Sequence, residues 1–380
     1  MPVVNFIQHL QGLSLQMDII EGEKRETGTH IKIGYFGKDP GIRKYWLMTF
    51  FREKPVITKS FKISIWKIYI FTQNNPDKFD LILVEINRIT RHFVPHGKGF
   101  ILPRWFELLI DVENSLDAVA RNDTKKQINK HRLECQERFS DDDLRFFYDR
   151  MYRPYILNRH KDSSVMTDFS NFLKRFRRKD SRLFFLMKDN EPVAGSFNFR
   201  SKGMIRFSVL GILDGQKEIL KMGANRVLYY YMLSYYKQEN TDIINFEGTS
   251  PLLNDGLTQF KISMRAFPNR KNLYGEKSLW LLPVNETDGL RAVLKSNPFI
   301  FIAGNKIYRA VFIDSSELNY RYEFLKLLKK TRFNGIDGTK IYCWNGTEKI
   351  FHWIIEEALP DHEVIDLHIE RNLTVINVNN

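Results

Sequence analysis

The stretch from Ile244 to Lys261 reads INFEGTSPLLNDGLTQFK. It leaves an apolar strand, sets Glu247 beside Gly248, gathers small polar residues and ends on the pair Phe260-Lys261. A carboxylate at a strand end that faces a cleft can take a proton from an attacking amine when burial raises its pKa. A lysine on the next element can steady a developing oxyanion. Plainer alternatives stand beside both: a surface acid that caps a loop, and a helix-terminal lysine that complements the helix dipole.

A second candidate lies upstream. Val209, Leu210 and Gly211 belong to an apolar strand, and after a glycine-containing loop a helix starts near Gly223, Ala224 and Asn225. Unsatisfied amides at a helix start bind phosphate; a simple strand–turn–helix connection would use the same glycines. In AGSFNFR, Ser196, Asn198 and Arg200 alternate with Val193, Phe197 and Phe199, so this polar strand face is expected to line a substrate groove or to meet solvent. Arg104 and Trp105, with Tyr152, Arg153, Tyr155 and His160, combine cations and flat rings suited to phosphate and to sugar or base recognition. Tyr152 and Tyr155 fall on a helical stripe and are expected in the core.

Other chemistries are missing from the pattern. There is no phosphate loop of the Walker type, no GxGxxG after a strand, no GxSxG elbow and no HExxH. His9, His92, His96 and His131 lack metal-ligand spacing, and no metal is expected. Cys135 and Cys343 stand far apart without CxxC context, which fits a reducing compartment rather than a disulfide framework. The N-terminus has no charged segment followed by an apolar run, and no segment approaches the roughly 20 apolar residues of a membrane span. The expected setting is cytoplasmic. A net charge of +13 favours an anionic partner such as nucleic acid, a phosphorylated substrate or acidic lipid, or else reflects scattered solvated lysines. The runs Lys125 to Arg132 and Lys174 to Lys179 read as solvated helix faces.

These residues need elements to hold them. With 380 residues the chain is long enough for two domains. From Ile31 to Asp111 it reads mostly as strands, including FKISIWKIYIF, FDLILVEINRI and FILPRWFELLIDV. Ser115 to Phe139 reads as a polar helix, followed by helices bearing Leu144, Phe147, Met151 and Tyr155, then Val165, Phe169 and Phe172. Strands return in RLFFLMK, PVAGSFNFR and MIRFSVLGIL, then the helix RVLYYYMLSYYK, the strand DIINFEG, a helix over Leu252 to Lys261, and closing strands at MRAFP and SLWLLPV. Parallel pairing across the central helix is expected. Beyond Pro283 come a helix before Ser296, strands at FIFIAG and IYRAVFI, a helix from Glu317 to Lys330 and a hairpin at Asn345-Gly346.

In this order, FILPRWFELLID, FFYDRMYRPYILNRH, PVAGSFNFRSKG, GANRVLYYYML and INFEGTSPLLNDGLTQFKISMRAFP together resemble the GNAT acyltransferase superfamily, in particular its FemAB-like and BioF2-like branch. The resemblance covers roughly Phe100 to Pro283. It implies an α+β fold of two GNAT-like domains, with mixed, mostly antiparallel central sheets flanked by helices: residues 1–112, strand-rich and degenerate; 113–285, catalytic; and a small α/β extension over 286–380. It implies that Val209 to Gly211 pair with the pantetheine arm of an acyl-CoA and that Gly223 to Asn225 give amides to its diphosphate, or, as in the FemAB-like branch, that the donor is an aminoacyl-tRNA. The family's loop pattern is met only at Gly223, since Leu220 and Asn225 depart from it. The resemblance further implies that Lys261 steadies the transferring carbonyl while an amine-bearing acceptor attacks directly. The competing reading is a non-catalytic nucleic-acid-binding or interaction protein on the same scaffold.

Overall fold

The computed structural model describes residues 14–344, apart from 25–26, 96, 121, 161–165, 274–276, 315 and 317–318, together with 364–370 and 373–378. The expected hairpin at Asn345-Gly346, the N-terminal segment with His9, and the positions His96 and Val165 lie outside the described residues. The chain divides into two compact units. One comprises Met1–Phe106, Thr249–Gln259 and Arg270–Asn380; the other comprises Glu107–Gly248 and Phe260–Asn269.

The first unit begins with the antiparallel pair β1 (Ser14–Glu23) and β2 (His30–Gly37). Helix α1 (Pro40–Phe50) follows because Asp39 caps it, accepting from the amides of Gly41 and Ile42, and Pro40 supplies a preset φ at the first turn. Its Ile42, Trp46 and Phe50 bury against Leu252, Leu290 and Phe299. The segment FKISIWKIYIF, expected as one strand, is divided. Strand β3 (Val56–Ser64) stops at Ser64 and α2 (Ile65–Gln73) begins. Positions 61, 63 and 65 satisfy a period of two, whereas Ile65, Ile68 and Thr72 satisfy a helical one and are the residues that enter the core. Strand β4 (Leu81–Asn87) returns parallel to β2.

FILPRWFELLIDV also divides: β5 (Phe100–Pro103) belongs to the first unit's sheet and β6 (Phe106–Asp111) to the second sheet. SLWLLPV, expected among the closing strands of the second half, becomes β13 (Lys277–Pro283) and joins the first sheet between β4 and β5. The segment expected as an extension supplies α11 (Asp288–Ser296) and the hairpin β14 (Phe299–Ala303) and β15 (Lys306–Asp314). Helix α12 (Tyr320–Lys330) then leads to β16 (Gly338–Trp344), parallel to β15. With β17 (Val364–Glu370) and β18 (Leu373–Val378), the first sheet has the order β17-β18-β16-β15-β14-β5-β13-β4-β2-β1-β3.

The second unit follows from β6 through α3 (Val112–Val119) and α4 (Asn122–His131). The expected long helix then ends. Leu133–Arg138 forms β7 and pairs antiparallel with β8 (Ser181–Lys188). Between them lie α5 (Asp141–Phe146), a π-helical turn Phe147–Tyr152, α6 (Arg153–His160) and α7 (Phe169–Phe176). Strands β8, β9 (Glu191–Ser201) and β10 (Met204–Ile212) form successive hairpins. Their turns, Asp189-Asn190 and Lys202-Gly203, take the left-handed conformation that tight hairpins demand. After α8 (Lys217–Lys221), helix α9 (Ala224–Gln238) crosses to β11 (Ile243–Thr249), parallel to β10. Helix α10 (Gly256–Ser263) starts four residues later than expected, where Asp255 accepts from the amides of Leu257 and Thr258. MRAFP contributes only the short β12 (Phe267–Pro268), paired with β6, and the sheet order is β12-β6-β11-β10-β9-β8-β7.

Candidate active site in the second unit

Strands β10 and β11 share two register pairs, Ile205 with Ile244 and Arg206 with Asn245, and then part. Each strand carries a device that turns it away at that point. In β10 the register with β9 shifts between Phe207 and Val209, a bulge that bends the strand. In β11 the side chain of Asn245 takes the amide of Glu247 at 2.8 Å, and Glu247 adopts φ 60°. A left-handed non-glycine residue costs roughly 1–2 kcal/mol, and such strain persists only where the surroundings impose it.

The surroundings are specific. Lys261 is 4% exposed, and its ammonium donates to three successive carbonyls, Phe246 O at 2.5 Å, Glu247 O at 3.1 Å and Gly248 O at 2.8 Å. It also lies 5.2 Å from the centroid of the Phe246 ring. Three consecutive carbonyls of the end of β11 thus converge on the one cation. Tyr229 on α9 packs its ring against Phe246 and Phe260 with centroids 5.3 and 5.2 Å away, tying the helix to the strand end and to α10.

The Glu247 carboxylate is gripped in a two-pronged contact by Arg206, at 2.7 and 2.8 Å. Arg206 also reaches Glu107 at 3.1 Å, and Glu107 accepts from Asn269 at 2.5 Å. An arginine at the last shared register position therefore joins two carboxylates where the strands separate. Burial opposes the ionisation of Glu107, but the hydrogen bonds from Asn245 and Asn269 and the Arg206 charge outweigh it, so its carboxyl titrates below the ordinary 4.5. A carboxyl depressed in the fold stabilises it above the unfolded-state value and loses that contribution as pH falls through the folded value. Acid titration of the melting temperature is expected to fall more steeply below pH ~4.5 in the parent than in Glu107→Gln. Parallel curves for the two proteins would count against this network.

Among the remaining expected site residues, Val209, Leu210 and Gly211 lie on β10 beyond its last pair with β11. Gly223, with φ 78°, immediately precedes α9, and no side chain caps that helix. The Oδ1 of Asn225 is buried with no hydrogen-bond partner among the described residues. Ser196 and Asn198 are corrections. They are fully buried, with Ser196 Oγ 3.1 Å from Asn198 Oδ1 and from Val209 O, and Asn198 Nδ2 3.1 Å from the Met232 sulfur on α9. The strand alternates as expected, but α9 covers its polar face, which is neither groove nor solvent-facing. Arg200 is exposed and donates to Gly203 O across its own turn, and Arg153 is exposed on α6.

Arg104 and Trp105 belong to the first unit. There Arg104 pairs with the capping residue Asp39, and Trp105 lies 6.2 Å from Tyr45, whose hydroxyl donates to Ser250 Oγ at 2.6 Å. The small polar residues after Glu247 thus anchor in the first unit, where Thr249 and Thr258 hydroxyls meet at 2.7 Å. Sequence reasoning missed Arg206, Glu107 and Asn245; polar residues within apolar strands were the available signal. The two basic runs lie mainly on exposed faces of α4 and α7, with Arg177 paired to Asp141 at 2.7 Å. Among the described residues no helix is long and apolar enough to cross a membrane, and no acid, histidine and cysteine cluster is arranged to hold a metal.

Residues 119–261, which contain the parting strands, match the model of the acetyltransferase (GNAT) domain. Over these residues the chain is similar to a GNAT domain. Comparison with curated proteins finds no match. Among solved structures the chain is similar to FemX (10% identity, TM-score 0.36, covering 70% of this chain and 84% of that one). It is also similar to a conserved protein of unknown function from Staphylococcus epidermidis (9%, 0.31, 67% and 85%). A third likeness is a probable N-acyltransferase from Enterococcus faecalis (10%, 0.30, 79% and 65%). The GNAT domain is an acyl-transfer domain, and the fold is α+β with two mixed sheets flanked by helices.

Proposed function

We propose that the chain transfers an activated acyl group, from an acyl-CoA or an aminoacyl-tRNA, to an amine acceptor by direct attack, as enzymes of the FemAB-like branch do. The observation that carries this reading is the parting of β10 and β11 after two register pairs. The comparable parallel pairs of the first sheet stay closed: β15 and β16 keep seven register pairs and β2 and β4 keep four. Beside those pairs, β10 and β11 offer unpaired strand main chain between parallel strands, which an extended carrier arm needs.

The residues present fit such a carrier. The main chain of Val209, Leu210 and Gly211 would hold its arm, and the uncapped start of α9 at Gly223, Ala224 and Asn225 would hold its phosphates through backbone amides. When bound, the carrier supplies an activated carbonyl. Glu247, aimed by the Arg206 fork, takes the proton from the attacking amine. Lys261 keeps the carbonyls of 246–248 gathered and so holds Glu247 in its left-handed conformation. Calorimetry with acetyl-CoA and with longer acyl-CoAs is expected to show binding that Gly223→Trp abolishes. Parent and mutant that both ignore every acyl-CoA, with an aminoacyl-tRNA bound instead, would assign the donor to tRNA. Neither donor binding would overturn the proposal.

A further inference from the structure

Two stretches of the first unit carry cations and contain no acid. Lys54, Lys59, Lys62 and Lys67 lie between Lys54 and Pro76; Arg88, Arg91, Lys98 and Arg104 lie between Ile86 and Phe106. Acids are 45 of the 380 residues, so their absence from two such stretches is a local departure. The fold brings the stretches together: edge strand β3 runs into α2, and α2 packs against the 3-10 turn Thr90–Phe93.

Helix α2 is apolar on both faces. Ile65, Ile68 and Thr72 enter the core, while Trp66 and Ile70, one turn apart, face outward at 47% and 61% exposure. Phe93 and Ile89 from the second stretch are 44% and 39% exposed, and the rings of Trp66 and Phe93 lie 6.1 Å apart. Lys62, Lys67 and Arg88 around them are exposed. An exposed apolar patch rimmed by cations marks an interaction surface, and aromatic and aliphatic side chains beside lysines and arginines suit a membrane interface.

We infer that this face of the first unit docks onto an anionic lipid surface. Trp66, Phe93, Ile70 and Ile89 enter the boundary between headgroups and acyl chains, and Lys62, Lys67 and Arg88 meet lipid phosphates. This interaction is separate from acyl transfer and does not depend on it. Charge complementarity selects lipid over a second copy of the chain, because two such faces would set like charges against each other. It is preferred over nucleic acid because Ile70 and Ile89 have no flat face on which a base can stack, whereas the interface of a bilayer accepts them.

Vesicle flotation of the full chain tests it, with phosphatidylcholine alone and with phosphatidylcholine containing about a third phosphatidylglycerol. Binding is expected only to the anionic vesicles, and it should weaken with salt. Lys62→Gln and Lys67→Gln are each expected to lower the partition coefficient about fivefold. Trp66→Ser with Ile70→Ser should abolish flotation while circular dichroism and melting temperature stay near the parent, since both side chains are exposed. Equal binding to neutral vesicles would overturn the inference, as would no binding to either kind. So would a parent dimer that the Trp66→Ser, Ile70→Ser variant dissociates, which gives the face to a second copy. Salt-sensitive RNA binding lost in that variant, without flotation, would give it to nucleic acid.

Discussion

Lys261→Met is expected to lower stability by about 3 kcal/mol and to lower turnover with it. Methionine keeps an unbranched stem but removes the donors that three backbone carbonyls now share. Removing a buried charge returns some desolvation cost, so the net loss is far below the sum of three charged hydrogen bonds. What remains is the penalty of buried carbonyls left without a donor, about 1–3 kcal/mol each where water cannot reach them. A loss of that size should lower the melting temperature by roughly 6–12 °C. Turnover should fall because Glu247 sits in the middle of the gathered carbonyls and depends on them for its left-handed backbone. A lysine that instead touched the reacting carbonyl would cost about a hundredfold in kcat. Its removal would change the melting temperature little. Calorimetric melting beside kcat and KM separates the two. A mutant with the parent's melting temperature and a large kcat loss would move Lys261 from positioning to the substrate.

The meander β8 to β10 and its crossover to β11 were legible because local chemistry specified them. Asp189-Asn190 and Lys202-Gly203 are turn pairs between alternating strands, and the aromatic run of α9 repeats at helical spacing. What failed depended on partners distant in sequence. SLWLLPV reads as a strand in any context, and nothing in those seven residues says that they pair with β4 and β5 rather than with the strands just before them. FKISIWKIYIF satisfies two periods at once, and the core that accepts Ile65 and Ile68 decides between them.

The candidate site divides in the same way. Glu247 and Lys261 stood out by type and spacing within one stretch. Arg206 and Glu107, which fix the Glu247 carboxylate, come from two other strands and carry no local mark. Ser196 and Asn198 show the limit of alternation: it gives the face of a strand correctly, but not whether a helix covers that face. Here α9 covers it, so two polar side chains became buried partners rather than a groove.

Gly211→Val is expected to destabilise the GNAT domain by about 3 kcal/mol or more and to remove carrier binding. A Cβ on Gly211 would stand 2.7 Å from the Cβ and carbonyl carbon of Met151 and 2.7 Å from the amide nitrogen of Tyr152. These are mostly main-chain atoms of the π-helical turn, so no side-chain rotation relieves the contact. The cross-strand neighbour gives no room either, because Gly195 pairs with Gly211 and its own Cβ would meet the Phe147 ring at 2.8 Å. The paired glycines let the turn sit directly on β9 and β10. Turns of this type are rare and often accompany functional sites. Forcing them apart shifts the β10 main chain just where it has left β11, so molecules that stay folded should still bind acyl-CoA poorly. Gly256→Ala is the control, since a Cβ there meets nothing within 4 Å. It should alter stability by less than about 0.5 kcal/mol. Melting curves and acyl-CoA calorimetry on both variants provide the check. A Gly211→Val protein that melts and binds like the parent would show that the π-helical turn can step aside. It would also show that its seat on β10 does not shape the opening between the strands.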